Sequence, residues 1–191
     1  NEFYDDLAKR YPQIKTIKNE NYQNTSSMGT LACCAPLIKG DFILLESDLI
    51  YDIIGLKVLL SDYRPNVMLA SGKSNSHDEV YLEADGKDIL QSVSKDKTVI
   101  PFPAGELVGI TKITKQAYDK MLAYYNSDPS LIKLDYEHAL EYISVNDDEP
   151  VYVRKVEYYA WTEIDDESML NRAMTQIWPR IVENEELYKL V

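Results

Sequence analysis

Two acidic positions draw the eye first. Asp48 lies just past the continuous apolar run Phe42 to Leu45, in the string FILLESD. Four apolar residues in a row suit a strand covered on both faces. In open α/β sheets, ligands bind outside the carboxyl ends of strands, so a carboxylate there is well placed to hold a hard cation. Glu46 stands two residues before it and Asp52 four after. Mg²⁺ takes one or two carboxylates and completes its shell with phosphate oxygens and water. The competing reading is that Asp48 caps the next helix. Asp165 repeats the arrangement in WTEIDDE, where a strand ends, an acidic turn follows and a helix begins. Asp165 or Thr162 could serve there purely as an N-cap, with acidic neighbours favoured by the helix dipole. Two such strand ends brought together would hold one metal from both sides.

Lys95, in SVSKDK, stands at a strand end where it could meet a phosphate or remain solvated. The segment Asn24 to Thr30 offers hydroxyls and N–H groups at a helix start, a place for an anion or a base edge. It contains one glycine, so it is not a phosphate-binding glycine loop. His77 and His138 are the only histidines. Neither belongs to a triad, and no G-x-S-x-G occurs, so nucleophilic catalysis has little support. Cys33 and Cys34 are adjacent, a spacing that suits neither a disulfide, a zinc site nor a redox pair. They read as reduced thiols buried on a helix, which makes the cytoplasm the default compartment. Most of the 15 tyrosines, Tyr118, Tyr125 and Tyr136 among them, fall at core spacing; a minority could cage a cationic head group.

The elements that must position these groups alternate along the chain. Residues 2–11 read as a short helix ending before Pro12. In residues 13–18, Ile14 and Ile17 are candidates for burial. Ser26 or Ser27 caps a helix through Leu31 and Cys34 to Pro36. Residues 52–61 are helical, with Ile53, Leu56 and Leu60 on one face. Residues 65–71 form a buried strand. Residues 79–84 and 88–94 form a hairpin about Asp85-Gly86. Residues 105–113 make a further strand. Thr114 caps a helix carrying Ala117, Met121 and Tyr125. Asp135 caps another, carrying Ala139, Leu140 and Ile143. Residues 150–159 form a strand, and 166–178 a last helix up to Pro179. The acidic residues 183–186 read as a solvated end. This order predicts one three-layer α/β domain, and the hairpin makes its sheet mixed.

Composition bounds the answer. A chain of 191 residues is one domain or a little more, able to bury about 70% of its unfolded surface. No apolar run approaches the length of a membrane span, and the N-terminus has no signal-peptide core, so no membrane partner is expected. No repeat of solenoid length is visible. With 20 Lys and Arg against 32 Asp and Glu, the net charge is −12, which argues against a nucleic-acid polymer as partner. It leaves room for small anions held through a metal or a local basic group.

Taken in order, the strings NTSSMGTL, FILLESDLIYD, SVSKD, GELVGITKIT, DYEHALE and WTEIDDESMLNRA resemble the nucleotidyltransferase family. They look closest to the cytidylyltransferases of phosphocholine or 2-aminoethylphosphonate, including transferase domains associated with phosphoenolpyruvate mutase. The likeness runs over roughly residues 10–175. It implies a Rossmann-like mixed sheet of the GT-A type. It also implies a Mg²⁺-dependent reaction in which a phosphate or phosphonate oxygen attacks the α-phosphorus of CTP and pyrophosphate leaves. By that pattern Asp48 and Asp165 would be the catalytic metal pair. Ser27 and Thr30 would lie near the nucleotide or acceptor, and Lys95, Glu106 and Glu137 near the substrate. A glutamate there could meet a substrate ammonium.

The family opens with a glycine-rich turn of the type L-A-A-G-x-G-x-R, followed by a lysine, which holds the triphosphate. Nothing like it occurs in this sequence. The expectation is that residues 1–191 are the later two-thirds of one nucleotidyltransferase domain, lacking N-terminal strands and inactive alone. The missing part would be absent, or supplied by another chain or a second copy, which leaves a homodimer open. Two alternatives stand beside this reading. One is a glycosyltransferase-like nucleotide-sugar enzyme using Glu46-x-Asp48 as its metal motif. The other is a non-catalytic remnant that keeps the fold.

Overall fold

The longest strand organises the molecule. In the computed structural model, which describes residues 2–74 and 78–188, GELVGITKI forms β6 (Gly105–Ile113) and is buried along all but one position. Apolar residues on both faces require cover on both faces, so β6 lies central in the sheet. On one side it pairs antiparallel with β3 (Val67–Ser71), whose five residues are all buried. β3 in turn pairs in parallel with β7 (Tyr152–Val156). On its other side β6 carries two shorter strands end to end. β4 (Tyr81–Ala84) pairs at Glu106 and Gly105, and β1 (Phe42–Leu45) at Ile110 to Ile113. β5 (Leu90–Ser94) closes the expected hairpin with β4. The result is a mixed six-stranded sheet, as the sequence predicts.

Helices cover one face. α2 (Ser27–Cys33), α4 (Lys115–Tyr125) and α5 (Tyr136–Asn146) pack Met28, Ala117, Tyr118, Met121, Ala139, Leu140 and Ile143 against Met68, Leu82 and Ile113. Thr114 caps α4 by accepting from Ala117 N at 3.1 Å. Burying each of these large side chains contributes about 1.5–3 kcal/mol, so this layer is the main source of stability. The other face is covered by α3 (Ile53–Ser61) and by a separate antiparallel ribbon of β2 (Leu49–Tyr51) and β8 (Trp161–Glu163). α1 (Glu2–Arg10) precedes these layers. No helix among the described residues is long and apolar enough to cross a membrane.

Several expectations are corrected. Ile14 and Ile17 lie outside regular structure and are exposed. β1 is half-buried rather than covered on both faces, because its only strand partner among the described residues is β6. α3 buries Gly55 and Leu59, while Leu60 is 62% exposed. Gly55 is needed there because the Tyr159 ring presses on the position a Cβ would take. The last helix does not stop at Pro179. α6 (Glu167–Arg172) passes through a π-helical turn, Ala173–Ile177, into α7 (Trp178–Tyr188). Pro179 lies just past the π-helical turn inside this continuous helix, where the regular i→i−4 hydrogen-bond ladder is already interrupted. Cys33 and Cys34 form no disulfide and are half-buried instead of buried, with Cys34 just past the end of α2. His77 lies outside the described residues.

Candidate functional site

Pairing of β2 with β8 brings the two acidic strand ends side by side. Leu49 stands opposite Glu163, and Ile164 N donates to the Asp48 carbonyl at 2.9 Å. Asp48 therefore enters one strand where Asp165 leaves the other. Neither aspartate is used as a cap. Asp52 caps α3, accepting from Ile54 N at 2.9 Å, and is fully buried with Asn184 and Tyr188 on its second oxygen. Asp166 caps α6, accepting from Met169 N at 2.8 Å. Both candidate aspartates are left exposed at the rim of one pocket of about 550 Å³.

Ser27, Thr30, Lys95 and Glu137 line the same pocket. Six of the seven residues singled out in the sequence thus converge. Glu106 is the exception. It lies buried on β6, lines a different depression, and accepts from Ser74 N at 2.6 Å, so it fixes the loop after β3 instead.

The pocket also holds carboxylates the sequence did not single out. Oxygens of Asp78, Glu163 and Asp165 lie within 4.8 Å of one another. Three hard oxygen donors that close together could hold a divalent cation. Asp48 lines the same pocket outside that trio. Asp78 accepts from Lys95 Nζ at 2.7 and 2.8 Å, and this hydrogen bond holds the lysine above its usual pKa and therefore charged. Glu46, Asp135 and Glu137 also line the pocket. Asp135 sits at the N-terminus of α5 but does not cap it; its carboxylate takes the hydroxyls of Ser26 and Ser27. Ser27 Oγ accepts from Tyr136 N at 2.9 Å in its place. Glu46 accepts from the Tyr136 hydroxyl at 2.7 Å.

Glu46 occupies its position because Gly109 has no side chain. A Cβ there would lie 2.6 Å from Glu46 Oε2, and the backbone has φ +79°. Burial raises the pKa of Glu46, opposed by the Tyr136 hydrogen bond. Burial pushes Glu137 up to about 7, with Asp135 and Glu46 adding to the rise. Seven carboxylates line the pocket against the single lysine Lys95. Such a site favours cations, and it can hold a phosphate only beside a metal or beside that lysine.

Of the unforeseen residues, Glu163 had a local signal, as the last residue of β8, two before Asp165. Asp78 and Asp135 had none. Asp78 is placed by folding of its loop, and Asp135 looks like an ordinary helix cap.

The fold is shared with known nucleotidyltransferases. The inositol-1-phosphate CTP transferase from T. maritima superimposes with a TM-score of 0.74 at 16% identity, over 94% of this chain and 72% of that one. The CTP:phosphocholine cytidylyltransferase from Streptococcus pneumoniae gives 0.66 at 14%, over 90% and 72%. A Bacillus anthracis protein described as a glucose-1-phosphate thymidylyltransferase gives 0.62 at 10%, over 83% and 62%. No family model matches the sequence.

Proposed function

We propose that this chain is the metal- and acceptor-binding part of a nucleotidyltransferase domain that moves a cytidylyl group from CTP to a small phosphorylated or phosphonate acceptor. The observation that carries the reading is the meeting of Asp48 and Asp165 through the β2–β8 ribbon, beside Asp78 and Glu163. In this reading Asp165, Asp78 and Glu163 would hold Mg²⁺, with Asp48 at the rim of the same pocket. When bound, the cation neutralises phosphate charge and lines up the reacting groups. Lys95 meets the acceptor phosphate. Because it already holds Asp78, its ammonium is fixed before the acceptor arrives, which lowers the ordering cost of binding. Ser27 and Thr30, on the lip formed by α2, face the nucleotide. Catalysis then rests on positioning and charge, with no protein nucleophile.

Glu46, Asp135 and Glu137 favour an acceptor with a cationic end. An ammonium or trimethylammonium group beside them would be drawn to the carboxylates, with Tyr136 and Trp161 as aromatic surfaces of the pocket. Phosphocholine and 2-aminoethylphosphonate both carry a positive end and an anionic end, which suits a pocket with one lysine set among carboxylates.

Residues 1–191 would form the later two-thirds of the domain, with triphosphate binding supplied by a glycine-rich turn outside this sequence. The test is to assay pyrophosphate release by the parent protein from Mg²⁺-CTP with each acceptor, and with a UDP-sugar as control. Release with CTP and an aminoalkyl phosphate or phosphonate is expected. Turnover of the UDP-sugar alone would favour the glycosyltransferase alternative. Absence of any Mg²⁺-dependent nucleotide binding would favour a non-catalytic module.

A further inference from the structure

A second cavity, of about 230 Å³, opens at the carboxyl ends of β3 and β7, lined by Ser71, Gly72, Lys73, Glu157, Arg172 and Arg180 among others. It shares Trp161 with the acidic pocket, but β8 divides the two. Glu163 lines the acidic side, while its neighbour Thr162 accepts from Arg172 Nη1 at 3.2 Å. Successive residues on a strand point to opposite faces, so one short strand presents a carboxylate to one cavity and anchors an arginine in the other.

The two arginines are held but not neutralised. Arg172 also donates to the Ser74 carbonyl, and Arg180 Nη2 donates to the Tyr158 carbonyl at 3.0 Å. These acceptors are all neutral oxygens. Among the described residues neither guanidinium pairs with a carboxylate. A guanidinium has five N–H donors, so each keeps donors to spare. The cavity's own carboxylate, Glu157, is committed to Lys155 at 2.6 Å. An adjoining depression adds Lys97 and Lys155 and shares Ser71, Gly72 and Lys73; its carboxylate is Glu106, already engaged with Ser74 N. Five cations thus line two adjoining depressions in a chain whose net charge is −12.

The π-helical turn explains why both arginines reach this cavity. Residues eight apart on a plain α-helix lie about 80° from one another around the axis. A π turn absorbs about one extra residue, so positions eight apart behave like positions seven apart, about 20° away. Ala173–Ile177 is π-helical and lies between Arg172 and Arg180. The distortion turns the second guanidinium toward the first.

From this we infer that the basic cavity binds the phosphate or diphosphate group of a small ligand without a metal ion. Two forked donors and the rim ammonium of Lys73 match the oxygens of a phosphoryl anion. The inference does not depend on the reaction proposed for the acidic pocket, and EDTA separates the two. Without a metal, seven carboxylates repel an anion from the acidic pocket, whereas the arginines need no metal.

The experiment is titration calorimetry in EDTA with inorganic phosphate, pyrophosphate and a simple phosphomonoester. Pyrophosphate is expected to bind. Arg180→Gln and Lys73→Gln should each weaken it about tenfold or more, and Lys95→Gln should leave it unchanged. Comparing the phosphomonoester with the inorganic anions tells whether the cavity takes an esterified phosphate or the free ion. Circular dichroism checks that Arg180→Gln is folded; the exposed Lys73 gives a variant that does not touch the core. No binding of any of the three at millimolar concentration would overturn the inference. So would binding lost in Lys95→Gln but kept in Arg180→Gln and Lys73→Gln.

Discussion

The acidic pocket and the basic cavity sit on either side of Trp161 and are built by opposite means. In the first, carboxylates arrive from five separate places: the end of β1, the turn into β2, the segment before β4, the start of α5 and the end of β8. They are crowded, and burial pushes two of them toward the neutral form. In the second, the two arginines come from one distorted helix and are held by carbonyl and hydroxyl oxygens that leave their charge intact. Net charge is therefore a poor guide to what this chain binds. Seven of the 32 acidic residues gather where a cation would sit, and a positive cavity survives one strand away.

The hardest blow to the comparison would come at Asp165. Asp165→Asn removes one of three clustered carboxylates. With Mn²⁺ as probe, binding to the acidic pocket is expected to weaken about a hundredfold, about 2.8 kcal/mol. Pyrophosphate binding in EDTA should not change. Calorimetry reads both, and equal Mn²⁺ affinity in the variant would remove the metal reading of the cluster.

Two glycines sharpen the contrast at the level of backbone. Gly109→Ala places a Cβ 2.6 Å from Glu46 Oε2 and 2.7 Å from its Cδ, at φ +79°. The cost is about 2–4 kcal/mol, from strain in the left-handed region plus overpacking. Gly72→Ala, in the basic cavity, meets only the far end of the Glu157 side chain, at 2.8 Å, which can swing aside. It should cost under about 1 kcal/mol. Urea denaturation compares them, and similar midpoints would mean that Glu46 is not held in place by Gly109.

Protons distinguish the two cavities by a smaller margin. Glu137 has its pKa raised to about 7, chiefly by burial. A carboxyl raised in this way binds protons more tightly in the folded state than in the unfolded one. Its contribution to stability is present below its unfolded value, near 4.5, and is lost as pH rises through about 7. A cation beside it has the opposite preference, because it needs the ionised form. Between pH 8 and pH 6 the ionised fraction falls about tenfold, so choline binding to the acidic pocket should weaken by up to that factor. Glu137→Gln should flatten the profile. An unchanged slope in that variant would assign the proton to Glu46 or elsewhere.

What could be read from the sequence was local. Thr114 as a cap, β3 and β6 as buried strands and the β4–β5 hairpin follow from neighbours within a few residues. Asp48 and Asp165 were legible as strand ends, and the β2–β8 ribbon that joins them was foreshadowed only by their repetition. The competing reading of Asp48 and Asp165 as caps fails because Asp52, four residues on, and Asp166, one residue on, take those places, and only packing chooses between equally good caps. Asp78 was illegible because its place depends on Lys95, 17 residues on. The helix beyond Pro179 was missed because a π turn leaves no pattern in apolar spacing. That same turn is what makes Arg180 part of a site, so the error in secondary structure concealed the second cavity as well.

The smallest expected effect tests whether the positive cavity is limited by its own carboxylate. Glu157 lines the cavity and is tied to Lys155 at 2.6 Å, with both side chains well exposed. Exposed pairs of this kind contribute at most about 1 kcal/mol, so Glu157→Gln should not disturb the fold. It removes one negative charge near the bound anion and releases Lys155 toward it. Pyrophosphate affinity in EDTA should rise about twofold to threefold at low salt and fall back to the parent value near 0.5 M, where screening is nearly complete beyond a few ångströms. The acidic pocket should bind Mn²⁺ as before. A gain that persists at high salt would point instead to a changed loop, since direct charge–charge attraction at an exposed site cannot survive that screening.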